Sequence, residues 1–217
     1  MNSSSNSPIF VTLDGIDGVG KSTQIDRLSA YLQQSGHDVL QVRDPGSTAI
    51  GLKLREILLD SDLDLHRRTE AMLFMASRCE MVEKTIRPAL ASGTSVISDR
   101  FLLANVVYQS IGGDVTPEQL WQMGRWANCG LEPDLTLLLD MPAASACQRI
   151  QGPSDRMERR GVEYLESVRQ AFLRELPHSS LSTAIINADQ SPDAVTADIR
   201  KAVDRLLQPR DDSAILA

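Results

Sequence analysis

Two rhythms of apolar residues alternate along this chain. Short apolar runs stand at Pro8–Asp14, Asp38–Arg43, Thr94–Ser98, Asp134–Leu139 and Thr183–Asn187. Their β-branched residues and short length predict strands. Between them, apolar residues recur three and four apart: Ile25, Leu28 and Leu32; then Ile50, Leu54, Ile57 and Leu58; then Met72, Met75, Cys79, Val82 and Ile86. That spacing predicts helices over 24–33, 49–59 and 67–91, each with the named residues as its core stripe. Further helices are predicted over 101–110, 116–128, 143–150, 159–176 and 192–207. Pro88 is expected to kink the long one. Gly36, Ser92-Gly93, Gly112-Gly113 and Gly152-Pro153 punctuate the pattern, and Thr116-Pro117 reads as a cap followed by proline at the first helical position.

Strands alternating with helices, with apolar strand interiors, predict a five-stranded parallel sheet with helices on both faces. No internal repeat or linker interrupts it. A single domain is expected over residues 8–208, with residues 1–7 and 209–217 as flexible tails.

The stretch between the first strand and the first helix changes the picture. Gly15-Ile16-Asp17-Gly18-Val19-Gly20-Lys21-Ser22-Thr23 fits G-x-x-x-x-G-K-[ST], the phosphate-binding P-loop. The glycines let successive backbone N–H groups turn onto a phosphate, and the helix N-terminus adds its positive dipole. Lys21 would reach the β- and γ-phosphates of ATP, and Ser22 would hold Mg²⁺. The loop alone leaves kinase, GTPase and ATPase open. A GTPase needs an Asn-Lys-x-Asp motif, and Asn187-Ala188-Asp189-Gln190 is not one.

Ligands of open parallel sheets bind beyond the carboxyl ends of the strands. Here those ends carry Asp14, Arg43-Asp44, Asp99-Arg100 and Asp140. Asp99 is expected to help hold Mg²⁺, with Asp140 as its rival. Arg43 and Arg100 are natural clamps for a second phosphate, because guanidinium meets phosphate oxygens two at a time. Phe74 and Arg78 lie one turn apart, where a ring and a guanidinium can stack on and hydrogen-bond a base. From spacing alone, a core Phe beside a surface Arg is the plainer reading.

Composition narrows the class further. The chain has 217 residues, 42% of them hydrophobic, enough for one sizeable core. A net charge of −7 argues against a broad nucleic-acid surface. No apolar run approaches the ~20 residues of a membrane span. The polar start Met1–Ser7 lacks the basic and apolar regions of a secretory signal. Cys79, Cys129 and Cys147 show no paired spacing, which suits a reduced, cytoplasmic setting, and the three scattered histidines suggest no metal site.

Taken in order, these motifs resemble the thymidylate kinases, P-loop nucleoside monophosphate kinases that phosphorylate dTMP with ATP. The resemblance runs from about Ile9 to Leu207. Arg43-Asp44-Pro45-Gly46-Ser47-Thr48 resembles the family's Arg-Glu-Pro-Gly-Gly-Thr; Asp99-Arg100, Tyr108-Gln109, Pro133–Thr136, Leu139-Asp140 and Asp155–Glu158 match further segments. It implies that Asp17 contacts the deoxyribose 3′-hydroxyl and the acceptor phosphate, and that Arg43 and Arg100 hold that phosphate. It further implies that Pro45, Phe74, Arg78, Tyr108 and Gln109 belong to the nucleoside pocket. Tyr108-Gln109 would pack against the deoxyribose and disfavour a 2′-hydroxyl. No arginine stands within Asp17-Gly18-Val19, so the catalytic arginine is expected from a mobile lid at about 149–160. Arg149 and Arg156 are its candidates, with Arg159 and Arg160 behind. The resemblance also suggests a homodimer. The chain departs from the family in Asp44 for Glu, Ser47 for Gly, Ala104 for Ser, and a short lid with Gly152-Pro153 where another Arg is common. A kinase of another nucleotide or nucleoside, or a catalytically weak nucleotide-binding protein, are the alternatives.

Overall fold

The computed structural model describes residues 7–60, 63–149 and 161–208. Most of the expected lid, including Arg156, Arg159 and Arg160, lies outside the described residues. Five strands form one parallel sheet: β1 (Phe10–Asp14), β2 (Val39–Arg43), β3 (Ser95–Asp99), β4 (Leu135–Asp140) and β5 (Thr183–Asn187), in the order β2-β3-β1-β4-β5. The central strand β1 is wholly buried, with Val11 and Leu13 on one face of the sheet and Phe10 and Thr12 on the other. Its neighbours β3 and β4 are almost equally covered; β4 is apolar but for Thr136 and its closing Asp140, while β3 buries Ser95 and Ser98 beside Val96 and Ile97. β2 and β5 lie at the edges and are partly exposed.

The helices are α1 (Lys21–Gln34), α2 (Ala49–Arg55), α3 (Arg67–Met81), α4 (Arg87–Ala91), α5 (Leu102–Ser110), α6 (Pro117–Ala127), α7 (Ala143–Arg149), α8 (Val162–Glu175) and α9 (Pro192–Leu207). Thr116 caps α6 as expected, and Gln119 completes a reciprocal capping box. The predicted helix over 67–91 is α3 and α4 joined by a π-helical turn at Val82–Ile86. The irregularity falls one turn before Pro88, whose missing N–H cannot serve the carbonyl four residues back.

The core stripe of α3 needs a correction. Met75, Val82 and Ile86 are buried and Cys79 is half-buried, but Met72 is 54% exposed. The buried face centres instead on Ala71, Met75, Arg78 and Val82. Ala71 therefore takes the place that periodicity had given to Met72, and Arg78 the place given to Cys79. The expectation of a surface Arg at 78 fails with it, for the side chain is 1% exposed.

Candidate active site

The strand ends and the P-loop build the site together. Gly15 must be glycine, because a Cβ there would stand 2.5 Å from the Leu139 carbonyl oxygen. Gly20 turns the chain into α1 with a left-handed φ of 92°. Lys21 follows as the first helical residue. Its ammonium donates to the Gly15 and Ile16 carbonyls at 3.0 and 2.9 Å, and lies 3.4 Å from Asp17 Oδ1. Burial and the neighbouring Arg100 lower the Lys21 pKa to about 8 against the pull of Asp17, Asp99 and Asp14.

Arg100 links the P-loop to the next strand. Its Nη2 donates to Asp17 Oδ1 at 2.6 Å. Its backbone holds a left-handed φ of 66°, costly for a residue with a Cβ. Two bonds hold that turn: the Arg100 N–H donates to the Leu13 carbonyl at 3.0 Å, and Ser98 Oγ donates to the Arg100 carbonyl at 2.6 Å. The guanidinium lies 5.1 Å from the centre of the Tyr108 ring. Burial pulls the Asp17 carboxyl upward, but Arg100 and Lys21 outweigh it and hold Asp17 well below the usual carboxylate range.

Beside this pair opens a cleft. Asp17, Arg43, Pro45, Phe74, Arg78, Arg100, Tyr108 and Gln109 all line it. These are all the residues that the sequence assigned to the acceptor, drawn from the P-loop, β2 and its following loop, α3, the end of β3, and α5. The structure adds Asp44, Arg55, Leu59, Phe101, Ala104 and Asn105. Arg55 donates to the Pro45 carbonyl at 3.0 Å and joins Arg43 and Arg100 at one end, so three guanidinium groups favour an anion there. At the other end Arg78 donates to Asp44 Oδ2 at 2.5 Å and to Asn105 Oδ1 at 3.1 Å. Burial pushes the Asp44 carboxyl up against the pull of Arg78. Asn105 left a signal in the sequence: it is the lone amide in the apolar run Leu102–Val107. Arg55 left none, since Lys53 stands two residues before it in the same turn of α2.

The acidic residues of the rim divide. Asp140 is taken by Arg169, which donates to its two oxygens at 2.7 and 2.8 Å. Asp99 has Oδ2 3.6 Å from Arg43 Nε, while its Oδ1 is buried without a hydrogen-bond partner. That oxygen, with the exposed Ser22 hydroxyl at the start of α1, fits a small hard cation that keeps most of its waters. Among the described residues no cluster of three or more His, Cys, Asp or Glu side chains could hold a metal alone. The fit is therefore to a cation shared with phosphates. Of the lid candidates, Arg149 donates to the Ala188 carbonyl at 3.2 Å and lies 3.6 Å from Asp189.

Asp14, named in the sequence only as a charged strand end, is completely buried. It lies beneath the P-loop, and neither oxygen has a hydrogen-bond partner. Burial raises its pKa from 3.8 to about 7, although Arg100 and Lys21 pull it down. A carboxyl raised in the folded state favours folding fully below the unfolded value, and that contribution is lost as pH rises toward 7. Asp14→Asn is therefore expected to gain stability over the parent between about pH 4 and 7. Above that the gain levels at about 4 kcal/mol. Urea melts at pH 5 and pH 8 check this; an equal difference at both values would refute the assignment.

Known proteins carry the same pattern. The family model described as thymidylate kinase matches residues 13–199. A thymidylate kinase of Rhodopirellula baltica is 62% identical over 190 residues, covering 88% of this chain and 78% of the relative. One from Bifidobacterium longum is 42% identical, covering 92% and 99%, and one from Thermosipho africanus is 38% identical, covering 92% and 100%. On these matches the chain belongs to the thymidylate kinase family.

Proposed function

We propose that this protein transfers the γ-phosphoryl group of ATP to dTMP, giving dTDP and ADP for dTTP synthesis. One observation carries the reading. The 2.6 Å bond between Arg100 and Asp17 joins the P-loop to a cleft with guanidinium groups at one end and an aromatic ring with a donor–acceptor pair at the other. A nucleoside monophosphate has that shape: an anion, a sugar and a flat polar base.

The working unit is one kinase domain over residues 8–208 with a lid at about 149–160. Arg43, Arg55 and Arg100 hold the acceptor phosphate. Phe74 stacks on the base, Arg78 and Asn105 meet its polar edge, and Pro45, Tyr108 and Gln109 close around the nucleoside. Asp17, held ionised, meets the 3′-hydroxyl and orients Arg100. Backbone N–H groups from Gly15 to Thr23 wrap the ATP phosphates, with Lys21 on the β- and γ-groups. Ser22 and Asp99 would hold Mg²⁺, which supplies neutralisation of phosphate charge. The second pKa of a monoester phosphate is about 6, so the attacking oxygen is already ionised at neutral pH and no strong base is required. Catalysis is then alignment for in-line transfer plus relief of repulsion between two anions. Arg149 and Arg156 are the candidate lid arginines; a closing lid also excludes water and limits idle ATP hydrolysis.

Two wider properties follow from the same reading. Exposed Ile50 and Leu52 on α2, Met72 on α3 and Trp126 on α6 offer apolar surface for a second copy, in keeping with a homodimer. Three free cysteines suit the reducing cytoplasm.

The test is ADP release with ATP and Mg²⁺ in the presence of dTMP, dUMP, UMP, dCMP, dGMP or thymidine. Release strongly dependent on dTMP, with UMP poor, is expected. Release favoured by another acceptor would replace the base assignment, and release indifferent to all of them would leave a nucleotide-binding protein.

A further inference from the structure

The base end of the cleft stands on a row of buried polar side chains that reaches beyond it. Arg78 Nη1 donates to Asn105 Oδ1 at 3.1 Å. Asn105 Nδ2 donates to Gln109 Oε1 at 2.6 Å. Gln109 Nε2 donates to Glu70 Oε1 at 2.7 Å, and Glu70 lies 3.7 Å from Arg67. Arg78, Asn105, Gln109 and Glu70 are each at most 3% exposed, and Glu70 does not line the cleft.

The direction of this row is fixed at both ends. A guanidinium can only donate, and a carboxylate paired with an arginine can only accept. The two amides between them must then both point the same way. Glu70 draws the NH₂ of Gln109, whose oxygen draws the NH₂ of Asn105. The oxygen of Asn105 is thereby turned toward Arg78 and the cleft. It accepts one bond from Arg78 and keeps a second lone pair. The cleft thus presents a donor, Arg78, beside an acceptor, Asn105 Oδ1. A 4-oxo pyrimidine with a proton on N3 complements that pair. A 4-amino pyrimidine opposes it twice, donor against donor and acceptor against acceptor.

We propose that Glu70 is a specificity-positioning residue. Through Gln109 it sets the polarity of Asn105, and so makes the pocket select thymine over a cytosine base without touching either. This rests on the dTMP-kinase reading above and deepens it.

Gln109 Nε2 and Arg67 Nη1 both approach the same oxygen, Glu70 Oε1, so Glu70→Gln would keep both contacts and leave the row as it is. The informative change is Glu70→Leu, which removes the acceptor that holds the Gln109 NH₂. Only Arg78 then fixes the direction, and both amides are freed to turn over. The probes are dTMP and 5-methyl-dCMP, which share the methyl group and differ only at the edge in question. The ratio of their kcat/KM values is expected to fall roughly five-fold or more, through a raised KM for dTMP and a lowered one for 5-methyl-dCMP, with KM for ATP unchanged. Adding Gln109→Glu to Glu70→Leu restores an acceptor one step nearer Asn105 and should recover most of the lost ratio. An unchanged ratio in folded Glu70→Leu, or a loss that the double variant does not recover, would overturn the proposal and leave Glu70 a packing residue. If Glu70→Leu does not fold, Gln109→Leu cuts the row without altering Glu70 and is judged by the same ratio. The parent protein separates the two readings: if it does not prefer dTMP over 5-methyl-dCMP, the assignment of function fails before any variant is read.

Discussion

Lys21→Ala is expected to lower kcat for dTMP phosphorylation by roughly 10²–10³-fold, the scale seen when one charge-stabilising donor is removed from a transition state. The lysine is 8% exposed, and its ammonium is held by two carbonyls of the loop itself at 3.0 and 2.9 Å. It is thus held in place by the P-loop without help from the lid. Burial already works against its charge, lowering its pKa to about 8, so its removal relieves a desolvation cost. The melting temperature should therefore stay near the parent's while turnover collapses. Single-turnover transfer and a thermal melt on the same sample check both halves. Near-normal transfer would remove Lys21 from the chemistry; collapse of both would make it a structural residue.

The second large effect falls on stability. Arg78→Met should destabilise the protein by about 3–5 kcal/mol, because it leaves Asp44 buried without its counter-charge. Arg78 and Asp44 are each 1% exposed at the side chain, and the change also strips Asn105 of its donor. Since burial pushes the Asp44 carboxyl up even with Arg78 present, the loss should deepen as pH rises. Adding Asp44→Asn removes the orphaned charge and should return a good part of the loss. Urea midpoints of the single and double variants decide it: a single variant within about 1 kcal/mol of the parent, or a double variant no better, would contradict the account.

Strand positions were legible because each buried strand is a short apolar run closed by a charge. The end of β1 at Asp14 and of β4 at Asp140 could be read directly. Helix starts were harder. α1 begins at Lys21 rather than Gln24, since its first turn is polar and is set by Gly20 and the loop, not by an apolar stripe. The π-helical turns at Glu56–Asp60 and Val82–Ile86 could not be told from α-helix, because Ile57, Leu58, Val82 and Ile86 keep α-helical spacing. In the cleft, every acceptor residue drawn from the family resemblance came together, whereas spacing alone misjudged Arg78. Its partner Asp44 is 34 residues away, and periodicity sees only neighbours on one helix. The roles of Asn105, Arg55, Glu70 and Asp14 escaped for the same reason, each being set by contact with a different element.

The order of the sheet has a consequence for how the chain is made. β1 leaves the ribosome before any other element, yet its partners come late: Ile9 bonds to a residue 86 positions on, and Phe10 to one 124 positions on. At about 5–20 residues per second, the first strand waits roughly 6–25 s for β4. β3 joins it on one side before then, but until β4 arrives its other edge stays open and Gly15 has no Leu139 carbonyl to lean on. The nucleotide loop, although encoded within the first two dozen residues, is completed only when synthesis has passed the fourth strand. Nucleotide capture by the nascent chain is thus a late event, and the segment that defines the family is the one most dependent on residues made long after it.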